Sequence, residues 1–312
     1  MNLEPILQTK LYGLSQIFGE IINLTNSNKL PNKILLSGAK GSGKSTLAYH
    51  IINYIFSNKE DDSYDVESNK INVQNNSFKL IKNGSHPNFH LIDLIEGKKN
   101  IEILQIRNMI NYANKSSFNN KPRFILIDNV ENLNINSLNA LLKIIEEPNK
   151  NVFFILIHNN NKKIIDTLKS RCLKFKINLT FDQSIIITNH LLNENVFELL
   201  NNDLISYYAK PGDFLGLINF SKENQIDLNK YDLKKFLLFL IEENYYKKNN
   251  FVKLNMLNYI ELYFLKILNQ TTNKSKISSF YTKFIVKSNF TSKFNLDYES
   301  LFMEFKSKIL NG

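Results

Sequence analysis

Five short, nearly continuous apolar runs mark the first half of the chain: 33–37 (KILLS), 89–94 (FHLIDL), 123–128 (RFILID), 152–158 (VFFILIH) and 172–177 (CLKFKI). A strand with one wet face alternates apolar and polar positions. A run without alternation suits a strand covered on both faces, as in a parallel sheet. Helical stretches separate the runs, as βαβ crossovers require. The pattern therefore predicts an α/β fold with a five-stranded parallel sheet. One intervening helix is predicted over 136–148 (NSLNALLKIIEEP), with Leu138, Leu141, Leu142 and Ile145 as its buried stripe and Pro148 as its stop. Glu146 and Glu147 sit poorly with the negative end of the helix dipole, which calls for a polar contact nearby or a basic partner. Residues 58–78 are polar, begin acidic and follow no period, and are expected to form a flexible surface insertion.

From about residue 180 the strand pattern stops. Thr180 and Gln183 bracket a helix start before 184–192 (SIIITNHLL). Short helices are expected to about 220, with a break at 210–213 (KPGD), and longer ones after 230. In the last, Tyr298, Leu301, Phe302, Phe305 and Ile309 fall on one face. These signals predict three domains: an α/β domain over 1–178, a small helical domain over 179–229 and a helical domain over 230–312.

Composition narrows the classes. A chain of 312 residues exceeds the usual size of one core, so two or three domains are expected. Its single cysteine, Cys172, excludes a disulfide framework and a multi-cysteine zinc site, and fits a reducing compartment. The N-terminus (MNLEPILQTK) lacks the apolar stretch of a signal peptide. The run at 236–241 (FLLFLI) is far shorter than the roughly 20 residues of a membrane span. A cytoplasmic protein without a membrane partner is expected. Net charge is +10, and residues 230–312 carry 14 Lys against 7 Asp and Glu. That excess suits nucleic acid or an acidic partner, or equally a coding bias towards Asn, Ile and Lys.

Chemistry concentrates in three places. Residues 38–45 (GAKGSGKS) match G-x-x-x-x-G-K-[ST] between a predicted strand and a predicted helix. In that context the backbone N–H groups of Gly38, Ala39, Lys40, Gly41, Ser42 and Gly43 cradle phosphates, and the helix start at Thr46 adds partial positive charge. Lys44 reaches the outer phosphates and Ser45 faces magnesium, so ATP with Mg²⁺ is the expected ligand. Asp128, ending its strand, is the expected second magnesium group. Next to it stands Asn129, an amide that cannot accept a proton as a general base. Glu131 is expected to be a solvated surface side chain. Arg171 lies between a helix and a strand; taken alone, such an arginine ordinarily forms a salt bridge. Cys172 beside it is expected to be inert packing. His86 and His90 are not spaced as ligands of one ion, so no zinc or other metal site is expected beyond nucleotide-bound magnesium.

The segments KLPNKILLSGAKGSGKSTLAY, GSHPNFHLID, FILIDNVENLNINSLNALLKIIEEP and LKSRCLKF occur in this order over roughly residues 10–178. On them the chain resembles the delta-prime family of bacterial DNA polymerase III clamp-loader subunits, which are AAA+ proteins. The resemblance implies an AAA+ module, a helical lid and a helical collar, assembled with delta and gamma/tau subunits into a hetero-pentamer that loads a sliding clamp onto primed DNA. It implies a non-catalytic part of the DNA-directed DNA polymerase III holoenzyme whose own ATPase is weak or absent. It also implies that Arg171 serves as an arginine finger, in trans, for a neighbour's ATP. The chain departs from the family pattern at Asn129 and in lacking the zinc-binding cysteines that many members insert where 58–78 stands. The stretch 209–214 (AKPGDF) resembles the lid segment that senses phosphate, with Asp213 in the sensing position. An active gamma/tau-type ATPase and a stand-alone P-loop protein are the alternatives; Asn129 and Asp213 weigh against the first, and NALLK..EEP with SRC against the second.

Overall fold

The computed structural model describes residues 4–95, 97–115, 121–149, 151–294 and 296–311. Strands β1 (Lys33–Gly38), β2 (Phe89–Ile92), β3 (Arg123–Ile127), β4 (Val152–His158) and β5 (Leu173–Ile177) form one parallel sheet in the order β2-β3-β4-β1-β5. The register pairs Leu35 with Leu156 and Leu126 with Ile155. Ile34, Leu35, Leu36, residues 124–127 and residues 154–157 are fully buried, which is why their runs do not alternate. The edge strand β5 departs from that expectation: Leu173, Lys174 and Lys176 are exposed, and lysines at an open edge oppose pairing with another chain. From β1 the chain crosses to the far edge, β2, and works back. The switch point therefore lies between β1 and β4, with the crevice outside their C-terminal ends.

Helices α1 (Ser15–Asn26), α2 (Lys44–Ser57), α3 (Asn76–Lys82), α4 (Ile103–Ala113), α5 (Ile135–Glu146) and α6 (Asp166–Lys169) accompany the sheet. Asn134 caps α5 by accepting from the Ser137 N–H, and Leu141 and Ile145 pack with Ile106 and Met109 of α4 over Ile125, Ile127 and Phe154.

Residues 58–78, expected as a flexible insertion, are tied to the domain. Tyr64, Ile71 and Phe78 are buried. The Ile71 N–H donates to the Thr9 carbonyl and the Leu11 N–H to that of Asn69. Glu60 accepts from the N–H groups of Asn76 and Ser77, and the buried amides of Asn53 and Asn75 bond to each other. The polar residues that suppress a period supply caps and turns instead.

The remaining helices are α7 (Phe181–Leu192), α8 (Val196–Leu199), α9 (Pro211–Glu223), α10 (Leu233–Glu242), α11 (Tyr245–Lys248), α12 (Asn250–Gln270), α13 (Lys274–Lys293) and α14 (Glu299–Phe305). The start of α7 carries the expected box: the Thr180 N–H donates to Gln183 Oε1, and the Gln183 N–H to Thr180 Oγ1. The chain divides into two compact units. One runs to Ile187 and takes back Lys210–Gly212; the other holds Thr188–Ala209 and everything from Asp213 onward. In the helical unit Phe264 packs against Tyr281, Phe284 and Phe305. After α14 the chain continues as a π turn, Lys306–Leu310. The extra residue per turn rotates the register, so Leu310 is fully buried where Ile309 was expected, and Ile309 is half-buried.

Candidate nucleotide site

Gly38 ends β1, and the chain turns through 39–43 into α2. Gly41 and Gly43 have φ of 76° and 82°, a region closed to most side chains. Gly43 is the N-cap of α2 and contributes no side-chain cap, so the first-turn N–H groups, including those of Ser45 and Thr46, remain for an anion. Ser42 Oγ donates to the Ala39 carbonyl at 2.8 Å, and Lys44 Nζ to the same carbonyl at 2.5 Å. Lys44 is buried while Lys40 is exposed. Burial pushes the Lys44 ammonium down to about 8, with Asp128 and Glu131 pulling it back up.

Ser45 Oγ donates to Asp128 Oδ2 at 2.5 Å, so the two groups expected to hold magnesium are already in contact. The Asp128 N–H donates to the Ile92 carbonyl, fixing the residue at the end of β3. Burial holds the Asp128 carboxyl above the usual range, against the Ser45 hydrogen bond. A partly buried carboxylate beside a P-loop hydroxyl is the donor set a hard divalent cation takes, and these residues fit Mg-nucleotide.

Asn129 adopts φ 54°. Its Nδ2 donates to Asp93 Oδ1 at 2.6 Å, and its Oδ1 accepts from Asn159 Nδ2 at 2.8 Å. The amide thus ties together the ends of β2, β3 and β4. Glu131, expected on the surface, is buried instead. Its Oε2 accepts from the Asn159 N–H at 3.3 Å, and its Oε1 has no hydrogen-bond partner. The short 3₁₀ turn Val130–Asn132 folds it inward. Asn159 was missed in the sequence; the only signal was a polar residue directly after a buried strand.

The Gly212 N–H donates to the Gly41 carbonyl at 3.0 Å, and a Cβ on Gly212 would lie 2.6 Å from Gly41 Cα. Gly212 therefore lies against the P-loop. Gly212 and Asp213 belong to the first turn of α9, where successive side chains point about 100° apart. Asp213 belongs to the helical unit, where it lines a cavity of about 310 Å³ with Tyr208, Tyr259 and Glu261.

Arg171 makes its contacts at the end of α5 rather than with the P-loop. Its Nη2 donates to Glu146 Oε1 at 2.7 Å and its Nη1 to the Thr167 carbonyl at 2.8 Å. This ion pair supplies the polar contact that Glu146 requires. Cys172 is partly buried against the sheet core, and burial pushes its thiol up to about 11, away from reactivity. His86 stacks on Phe56 and His90 on Tyr112. Among the described residues no group of three or more His, Cys, Asp or Glu is placed to hold a metal, and no helix is long and apolar enough to cross a membrane.

A P-loop at the switch point of a five-stranded parallel sheet, with Asp128 at the end of β3, defines an AAA+ module. A gamma subunit-related protein of DNA polymerase III from Thermotoga maritima superposes with a TM-score of 0.51 at 14% identity, covering 92% of this chain and 97% of that one, a likeness of fold. Residues 13–180, more than half of the chain, match the family model described as DNA polymerase III, delta subunit, and the chain belongs to that family. The DNA polymerase III subunit delta' of Buchnera aphidicola subsp. Baizongia pistaciae is 28% identical over 287 residues, spanning 90% of this chain and 75% of that protein. The subunit gamma of Buchnera aphidicola subsp. Schizaphis graminum is 32% identical over 278 residues, spanning 83% and 73%.

Proposed function

We propose that the chain is a delta-prime-type subunit of a cytoplasmic clamp loader. It assembles with delta and gamma/tau subunits and helps place a sliding clamp on primed DNA, with 179–229 as lid and 230–312 as collar. It binds Mg-ATP and hydrolyses it weakly or not at all, and it lends Arg171 to a neighbour's ATP. The observation that carries the reading is the state of Asn129. The position that would activate water holds an amide, engaged on one side by Asp93 and on the other by Asn159. Around it the binding parts are intact. Lys44 and the α2 N–H groups take the phosphates, and Ser45 with Asp128 hold the ion. Bound magnesium neutralises phosphate charge.

Reconstitution with gamma- and delta-type subunits tests this. The chain is expected to enter the complex and raise its clamp- and DNA-stimulated ATP turnover. Alone it binds Mg-ATP in a Lys44-dependent manner and turns over far below about 1 s⁻¹. Because the free Lys44 loses its proton above about pH 8, affinity is expected to weaken as pH rises through that value. No binding at millimolar Mg-ATP overturns the cofactor assignment.

A gamma-type motor is the second reading. The similarity to a gamma subunit and the buried Glu131 carboxylate beside Lys44 support it. Turnover of the isolated chain near 1 s⁻¹ or above, lost in both Lys44→Ala and Glu131→Gln, would establish it.

A further inference from the structure

Glu146 stands where a carboxylate disfavours a helix: it is the last residue of α5, at the partially negative end of the dipole. Its Oε1 accepts from Arg171 Nη2, while Arg171 Nη1 donates to the Thr167 carbonyl. Two of the five guanidinium N–H groups are engaged, on two different nitrogens, so the plane of the fork is fixed from two sides. The other three have no hydrogen-bond partner among the described residues, and the Arg171 side chain remains about one-third exposed (34%).

We propose that Glu146 is a positioning residue, holding Arg171 so that its unused N–H groups meet the phosphates of a nucleotide bound by a neighbouring chain. The proposal rests on the reading that Arg171 acts in trans. The opposite role, in which Glu146 withholds Arg171 from phosphate, predicts higher turnover in Glu146→Ala, and that outcome overturns the proposal. A half-exposed pair shifts an equilibrium by about fivefold at most. It narrows the orientations of a long side chain, and orientation is what a phosphate-binding fork requires.

The test uses the reconstituted complex with gamma- and delta-type subunits. Stimulated ATP turnover is measured for Arg171→Ala, Glu146→Ala, Glu146→Gln and the double alanine variant, with assembly followed by light scattering. Glu146→Ala is expected to lower kcat about three- to fivefold, with KM for ATP and assembly unchanged. Glu146→Gln, which keeps an acceptor without charge, falls between Glu146→Ala and wild type. The double variant loses no more than Arg171→Ala alone, because Glu146 acts only through Arg171. A purely structural Glu146 would lower the melting temperature and add its own loss to that of Arg171→Ala. Normal turnover in Glu146→Ala, with turnover reduced in Arg171→Ala, overturns the positioning role and leaves the finger standing. Normal turnover in Arg171→Ala overturns the finger, and the positioning role with it. If Glu146→Ala fails to assemble, Glu146→Gln decides: reduced turnover in a complete complex supports the proposal, and wild-type turnover refutes it.

Discussion

Buried polarity is divided unevenly between the two units. Among the described residues, every buried polar or charged side chain except Thr188, Ser288 and Thr291 belongs to the α/β unit. There Lys44, His50, Asn53, Asn75, Glu131 and Asn159 are withdrawn from water, mostly into hydrogen bonds that offset their desolvation. The helical unit buries rings instead: Phe236, Tyr259, Phe264, Phe284 and Phe305. It leaves its charges outside, in pairs such as Lys247–Glu299, Lys308–Glu304 and Lys287–Glu304. Such surface pairs contribute little each, about 0–1 kcal/mol. In the α/β unit, desolvated polar groups are matched by partners on other elements. Where the task is packing, the core is apolar and the surplus lysines stay in water.

The largest effect that could break this contrast is a ring deletion. Phe264→Ala is expected to destabilise the helical unit by about 3–5 kcal/mol, read by denaturant unfolding; a loss below about 1 kcal/mol would show that the ring cluster is not a packed core. Acid should act on the other unit. Burial holds His50 down to about 4, where its Nδ1 meets the Tyr64 hydroxyl and its Nε2 the Gln8 carbonyl. The unfolded chain takes up that proton near pH 6.5 and the folded chain does not. Stability is therefore complete above 6.5 and falls as pH drops towards 4, by roughly 3 kcal/mol. His86 acts in the same direction. In His50→Gln the stability profile between pH 7 and 4.5 should flatten; an unchanged profile would remove His50 as the cause. A smaller loss, about 1–3 kcal/mol, is expected for Gly212→Ala, whose Cβ meets the P-loop backbone at Gly41. The smallest effect has the opposite sign. Gly19 lies inside α1, and a Cβ at this position would have no atom within 4 Å, so Gly19→Ala should stabilise by about 0.4–1 kcal/mol in thermal melts.

Much of the architecture was written locally. Five runs gave five strands to within a residue or two; for β1, β3 and β4 the reason is that a strand buried on both faces needs apolar residues at every position. The P-loop motif and the amide at position 129 were legible because each is read from residues contiguous in the chain. The Thr180–Gln183 cap was legible for the same reason.

Other features depended on residues far apart in sequence, and only the folded sheet brings them together. Asn129 meets Asp93 and Asn159 from neighbouring strand ends. Glu131 reads as a surface acid until a 3₁₀ turn folds it inward. The 58–78 stretch looks loose until the Ile71 N–H finds Thr9 and the side chains of Tyr64 and Asn75 find His50 and Asn53. Period and motif are properties of neighbouring residues, and composition fixes what can be buried. Which polar group is buried, and which partner it meets, is set by the sheet, because it places side by side strand ends that lie 30 and 36 residues apart in the sequence.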